Sequence, residues 1–325
     1  MLVLRLVLHM RRHVLRWLQI GTALVGAVLL YRVLRQHDLH EIAAAIAKIP
    51  ALNVVMAVLC TAGSYVCLAV IEYMGILYAC RRRLAPARVM LVTLAGLGIG
   101  HSVGLAALSS GAVRYRMYTR NGLGAEAVAK ILIFSGLTVI VGLLATFCIV
   151  AVSHGAAIGA FLHLPPAGLR LMVAALVALG GAYLAVCATR RAQLRIGPIR
   201  LRLPSLFLAL GQLVVGVLNI AFMAGALYAC LAPLTHTDYA LVAALIVLSD
   251  TAAILGHVPG GWGVLEYVVS SFVAGADVVA ALVVFRAVYY LGPLALGVAI
   301  LIADEFASRD KRIGVGAGDG AIQRG

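Results

Sequence analysis

Nine apolar runs bounded by charge or proline occupy most of this chain, near 17–34, 51–80, 89–113, 131–153, 169–189, 205–232, 239–258, 264–276 and 278–303. A helix needs about 20 apolar residues to cross a bilayer core, so runs of this length and number call for a polytopic membrane protein. Charge content agrees: only 12% of the 325 residues are charged, about half the roughly 25% with which a soluble domain coats its surface. The expected fold is all-α, with no room for a separate soluble catalytic domain.

The formal charge of +14 is explained by orientation before partners. Basic loops stay in the cytoplasm, and Arg5, Arg11, Arg12 and Arg16 place the N-terminus there. Two crossings return the chain to Arg81, Arg82, Arg83 and Arg88. If 89–113 then crossed fully, Arg114, Arg116, Arg120 and Lys130 would all lie outside. A re-entrant hairpin over that Gly- and Ser-rich stretch removes the conflict. A second broken hairpin is expected over 239–276, around PGGWG. The result is six full spans plus two re-entrant hairpins, with 21 of the 26 cations and both termini cytoplasmic. Nucleic acid is not an expected partner, because most of the basic excess is spent on this orientation.

The layout contains an internal repeat. A shift of 156 residues lays 17–34 on 169–189, 51–80 on 205–232, the first hairpin on the second, and 131–153 on the last span. It also superimposes Gly100, His101 and Gly104 on Gly256, His257 and Gly260. Each half holds three full crossings, so the halves are inverted, a transporter-like pattern with its site at the repeat interface. The expected division is a basic N-terminus at 1–16, repeats at 17–153 and 154–306, and a tail at 307–325.

Ionisable groups at membrane depth are costly, and each requires a partner or a task. Glu72, Asp250, Glu266 and Arg286 form this set. Glu72 is either functional or a carboxylate paired with Arg81 or Arg82, and Asp250 has Thr251 or His257 as structural partners. Broken helices leave backbone amides for a polar ligand, and glycines such as Gly260 and Gly261 let a head group approach them. Arg114 and Arg116, two residues apart beside such a break, suit a phosphodiester, because guanidinium forks bind its oxygens pairwise. The structural alternative for this pair is a positive-inside anchor.

No metalloprotease, hydrolase, P-loop or dinucleotide motif occurs, so no cofactor, metal or soluble-enzyme catalytic set is expected. His37, His40 and Glu41 read as a solvated face, and the six cysteines lie scattered without CxxC spacing.

Three strings carry a resemblance: Arg114-Tyr115-Arg116 after a small-residue hairpin, PGGWGVLE at Pro259 to Glu266, and FRAVYYLGP, where Arg286 precedes Tyr289 and Tyr290. Over roughly 17–306 the chain resembles the lysylphosphatidylglycerol synthase transmembrane-region family, bacterial inner-membrane proteins that include the flippase portion of the multiple peptide resistance factor. The resemblance implies movement of a phospholipid, such as an aminoacylated phosphatidylglycerol, between leaflets. It implies functional positions at Arg114, Arg116, Glu266 and Arg286, and at Glu72 where the family often has aspartate. Two-part members continue into a soluble aminoacyltransferase domain, whereas this chain ends in a Gly-rich tail, so lysyl-lipid synthesis by this chain is not expected. Expected partners are membrane phospholipids, a separate lipid-modifying enzyme and further copies of the chain. A membrane-embedded head-group transferase and a non-catalytic member of a lipid-synthesis complex stand as alternatives.

Overall fold

The computed structural model describes residues 44, 46–80, 83–103, 106–189, 193–196, 199–273 and 275–306. The expected first span at 17–34, the HDLHE segment, the basic N-terminus, the tail, Arg81, Arg82 and Gly104 lie outside the described residues.

Each helix begins where local chemistry allows it. Helix α1 (Ala51–Ala79) follows Pro50, held in an extended conformation, and stops at extended Cys80. Helices α2 (Pro86–Val103) and α5 (Pro166–Thr189) start on proline, whose missing N–H costs nothing in a first turn. Between them lie α3 (Ala106–Arg120) and α4 (Ala125–Phe161). Helix α6 (Leu206–Leu231) is capped by the Ser205 hydroxyl, which accepts from Leu208 N–H at 3.4 Å. Helix α7 (Tyr239–Leu255) is capped by Asp238, which accepts from Leu241 N–H at 2.9 Å. A 3₁₀ turn (Pro259–Gly261) then leads into α8 (Val264–Phe272). Helix α9 (Ala276–Arg286) runs through a π-helical turn (Ala287–Leu291) into α10 (292–306), and the three make one continuous rod.

Among the described residues, five helical segments are long and apolar enough to cross a membrane: α1, α4, α5, α6 and the rod Asp277–Phe306. They coincide with five of the six expected spans, and the sixth lies outside the described residues. Helix α4 differs at both ends, and it starts at Ala125 where 131 was expected. The expected loop from 154 begins as helix, because α4 kinks at His154 and continues to Phe161. Apolarity marks the bilayer, whereas the backbone ladder runs on past it. The basic loop after α5 holds a short antiparallel ribbon, β1 (Gln193–Ile196) with β2 (Ile199–Arg202), pairing Gln193 with Arg202 and Arg195 with Arg200.

Helices α1 and α6 pack against each other at the centre, with α4 against both. They run antiparallel: the Asn53 amide donates to Ala229 O at 3.0 Å near one end, and Tyr78 O–H donates to Arg202 O at 2.6 Å near the other. Small residues permit this closeness where there is no water to drive helices together. A β-carbon added at Gly142 of α4 would come within 2.6 Å of the Gly216 backbone of α6. Helix α5 sits at the periphery with Leu171, Val177 and Leu179 exposed, as expected of a lipid-facing helix.

The remaining helices form two hairpins, α2–α3 and α7–α8. A β-carbon at Gly96 of α2 would meet Ser110 and Arg114 of α3, so the first pair runs antiparallel. Helices α3, α7 and α8 have 15, 17 and 9 residues and are not among those five segments. The element order long helix, hairpin, long helix thus occurs twice, as α1, α2–α3, α4 and as α6, α7–α8, α9–α10. The aligned histidines diverge. His101 lies within α2 with its ring edge-on to Tyr65, whereas exposed His257 follows α7 at φ 52°.

Candidate head-group site

The two hairpins meet at their breaks. At Gly260 (φ 60°) a β-carbon would come within 2.7 Å of the carbonyl oxygen of His101, and Gly261 and Gly263 also have positive φ. Only glycine passes through this turn without strain. Behind it, α2 packs on α10 with Gly98 against the Pro293 carbonyl and Gly297 against Leu94 O. The π turn adjoins this junction, where Tyr289 O–H and Ser64 Oγ lie 2.8 Å apart and Ser64 donates to the Asn219 side-chain oxygen at 2.8 Å.

Two buried Glu–Arg pairs flank the junction. In the first, on α1 and α3, Arg114 Nη1 donates to Glu72 Oε1. The same carboxylate accepts from Ser135 Oγ of α4 at 2.7 Å and from Tyr118 O–H at 2.9 Å. Glu72 is fully buried and Arg114 is 7% exposed. Glu72 is thereby well supplied with donors, but Arg114 is not: its buried Nε has no partner among the described residues. Neither do the buried hydroxyls of Ser110, one turn before Arg114 on α3, and of Tyr65 on α1. The ring of His101 lies within electrostatic reach of Arg114.

The second pair, on α8 and α9, is closed. Arg286 Nε donates to Glu266 Oε1 at 2.8 Å and Nη2 donates to Oε2 at 3.1 Å. Its Nη1 and Nη2 donate to Gly260 O and Gly261 O at 2.8 and 2.9 Å. Glu266 in turn accepts from Gly263 N–H at 2.9 Å, fixing the start of α8. The guanidinium also lies 4.8 Å from the Trp262 ring centroid and 4.6 Å from that of Tyr290. These contacts clamp the PGGWG turn onto the last membrane rod. Asp250 of α7 is within electrostatic reach of Arg286, yet it makes no hydrogen bond to any described residue. His257 faces Leu255 O at 3.1 Å instead.

Three sequence expectations change here. Glu72, left open between a function and a pairing with Arg81 or Arg82, which lie outside the described residues, pairs with Arg114. Arg114 and Arg116 do not share a site, because residues two apart on an α-helix point about 200° apart. Arg114 turns inward, while Arg116 is exposed and pairs with Glu305 at the end of α10. Arg286, Glu266, Gly260 and Gly261 come together, but as one another's partners. Sequence reasoning missed Tyr118, Ser135, Ser110 and Tyr65, whose roles depend on packing. It also missed Asp304 and Glu305, although two adjacent carboxylates ending the last apolar run opposite arginine-rich loops are a visible signal. Among the described residues, no cluster of three metal-ligating side chains occurs.

The comparisons bear on what such a junction serves. The chain is 30% identical over 211 residues to an uncharacterized protein, slr0712, of Synechocystis sp., a match covering 64% of this chain and just under two thirds (66%) of that protein. It is 27% identical over 226 residues to the inner membrane protein YbhN of Escherichia coli strain K12, covering 67% of this chain and 70% of that one. A family model described as the lysylphosphatidylglycerol synthase TM region matches residues 18–297. The protein is therefore a multi-pass helical membrane protein, and it belongs to the lysylphosphatidylglycerol synthase TM-region family, whose membership points to a role connected with membrane lipids.

Proposed function

We propose that the protein is a flippase-like lipid transporter, moving a phospholipid or related lipid between the leaflets of the bacterial cytoplasmic membrane, with Arg114 holding the head-group phosphate. One observation carries this reading: a buried guanidinium at a broken hairpin keeps an unpaired N–H while its counter-ion is fully supplied. A buried donor without a partner costs about 1 to 3 kcal/mol, which a phosphate oxygen at Nε would recover. Ser110 and Tyr65 add hydroxyl donors on neighbouring helices. Glu72 holds Arg114 in place, and Asp250 stands as a carboxylate for a cationic head group.

In this reading both hairpins are re-entrant and meet near mid-membrane, within two inverted repeats. The termini are cytoplasmic, on the side of Arg88, Arg120 and Lys130. An impermeant thiol reagent tests the orientation. Glu126→Cys labels from the cytoplasm and His236→Cys from outside, and the reverse pattern overturns it.

The functional test is leaflet exchange of labelled phospholipid in proteoliposomes, with lipid masses recorded before and after. Wild-type protein exchanges the label without changing its mass, and Arg114→Ala abolishes exchange. Undiminished exchange by folded Arg114→Ala contradicts the phosphate role. A new lipid mass moves the assignment to a head-group transferase.

A further inference from the structure

The chain from 190 to 205 joins α5 to α6 and holds five arginines and no carboxylate: Arg190, Arg191, Arg195, Arg200 and Arg202. Its β1–β2 ribbon begins four positions after α5 ends at Thr189 and ends four positions before α6 starts at Leu206. An extended chain covers at most about 3.6 Å per residue, so the open end of the ribbon lies within about 15 Å of both helix ends. That is the surface of the membrane from which these two spans emerge.

The register sorts the ribbon into two faces. Residues directly opposite share a face, and neighbours along a strand alternate. Gln193 with Arg202 and Arg195 with Arg200 therefore occupy positions on one face, and Leu194 with Leu201 and Ile196 with Ile199 occupy the other. One face is wholly aliphatic, and the other carries three arginine positions beside one glutamine. Such a ribbon is a poor structure in water. An isolated two-stranded hairpin is marginal, and like charges directly opposite, as at Arg195 and Arg200, oppose the pairing. The two strands pack chiefly against each other, and exposed Arg202 makes no ion pair with a described residue. The Arg202 backbone carbonyl is tied to the Tyr78 hydroxyl near the end of α1.

We infer that the ribbon is a membrane-surface anchor, which lies on an anionic lipid leaflet with Leu194, Ile196, Ile199 and Leu201 against acyl chains and Arg195, Arg200 and Arg202 among lipid phosphates. Both weaknesses disappear there. An aliphatic face at the head-group boundary leaves water as that of an interfacial amphipathic helix does. Phosphate oxygens between the guanidiniums replace cross-strand repulsion with shared charge-assisted hydrogen bonds. Free phosphate would match the arginines but leave the aliphatic face in water. Held in this way, the ribbon ties α5, α6 and, through Tyr78, α1 to one leaflet. The inference needs α5 and α6 to cross the membrane, and it is independent of which lipid the protein moves or whether it moves any.

Hydrogen exchange of the full chain tests it, read by mass spectrometry on peptides covering 193–202. The chain is held in nanodiscs of phosphatidylcholine, of phosphatidylcholine with phosphatidylglycerol, and of phosphatidylcholine with added inorganic phosphate. The ribbon amides exchange at least about tenfold more slowly with phosphatidylglycerol, the worth of one to two guanidiniums at an anionic surface. Arg195→Gln/Arg200→Gln removes most of that difference, as does Ile196→Asn/Ile199→Asn, while peptides from α4 keep their protection. Equal protection in the two lipids overturns the inference. If it is high, the rest of the chain covers the ribbon, and if it is low, the leaflet does not. Inorganic phosphate protecting as well as phosphatidylglycerol also overturns it, because the arginines then serve a free anion. The wild-type comparison decides alone if a variant does not fold.

Discussion

The pairs Glu72–Arg114 and Glu266–Arg286 have the same chemistry, similar burial and positions either side of one junction, yet their hydrogen-bond accounts differ. Arg286 donates four hydrogen bonds, two to Glu266 and two to the carbonyls of Gly260 and Gly261, and stacks on two rings. Among the described residues, Arg114 donates one side-chain hydrogen bond, to Glu72, and its Nε has no partner. A buried ion pair whose lone pairs and protons are all matched serves structure, because removing either member strands the other. One left short of acceptors holds binding capacity in reserve. The two pairs also come from non-equivalent elements: the acid is on the long helix α1 in the first half, and on the hairpin helix α8 in the second. A site built from this repeat is asymmetric.

The sharpest way to break this contrast is a lysine at each arginine. Arg286→Lys keeps the charge but loses the fork that reaches Glu266 and two carbonyls together, at a cost of about 3 kcal/mol or more. It should unfold in detergent at a markedly lower temperature. Arg114→Lys can keep its single bond to Glu72, so it should melt near wild type while slowing leaflet exchange. Equal melting losses would erase the distinction. Next in size is Gly260→Ala, which forces a side chain into φ 60° and against the His101 carbonyl. Backbone strain of this kind costs about 2 kcal/mol, visible as a lower melting temperature with exchange lost in parallel.

A smaller effect comes from Asp238, remote from both pairs. Its carboxyl is held below the usual range, first by the Leu241 N–H and then by His154. A lowered folded-state value contributes stability that is complete above the ordinary carboxylate range and is lost as pH falls through the lowered one. Asp238→Ala removes about 1 kcal/mol of capping at neutral pH, and melting curves of variant and wild type should converge in acid. Smallest is Ser110→Ala. It deletes a buried hydroxyl with no partner among the described residues, so lipid-free stability does not fall and rises by about 1 kcal/mol at most. Its affinity for phospholipid should nevertheless fall; unchanged affinity removes Ser110 from the site.

Apolar length made the membrane helices legible, and α1, α5 and α6 begin and end within a few residues of the expected spans. The break at PGGWG was legible because three of its glycines hold positive φ. Helix α4 outran its reading because hydrogen bonding does not stop where apolarity does. Arg114 and Arg116 were assigned to one site from nearness in sequence, although helical periodicity alone separates them. The partnership of Glu72 with Arg114 was hidden for a different reason: 42 residues and a hairpin separate them, and only packing brings them together. Packing also decides that Glu266 and Arg286 spend their valence on each other.

The central claim is that the unspent donor of Arg114 faces a lipid phosphate. Its most direct test is the lipid that copurifies with the Glu72→Gln/Arg114→Gln double variant, which leaves no uncompensated charge behind. Quantitative mass spectrometry of extracted lipid should find a specific anionic phospholipid, about one per wild-type chain, that is absent from the folded double variant. The same lipid at the same stoichiometry in the folded double variant would contradict the account.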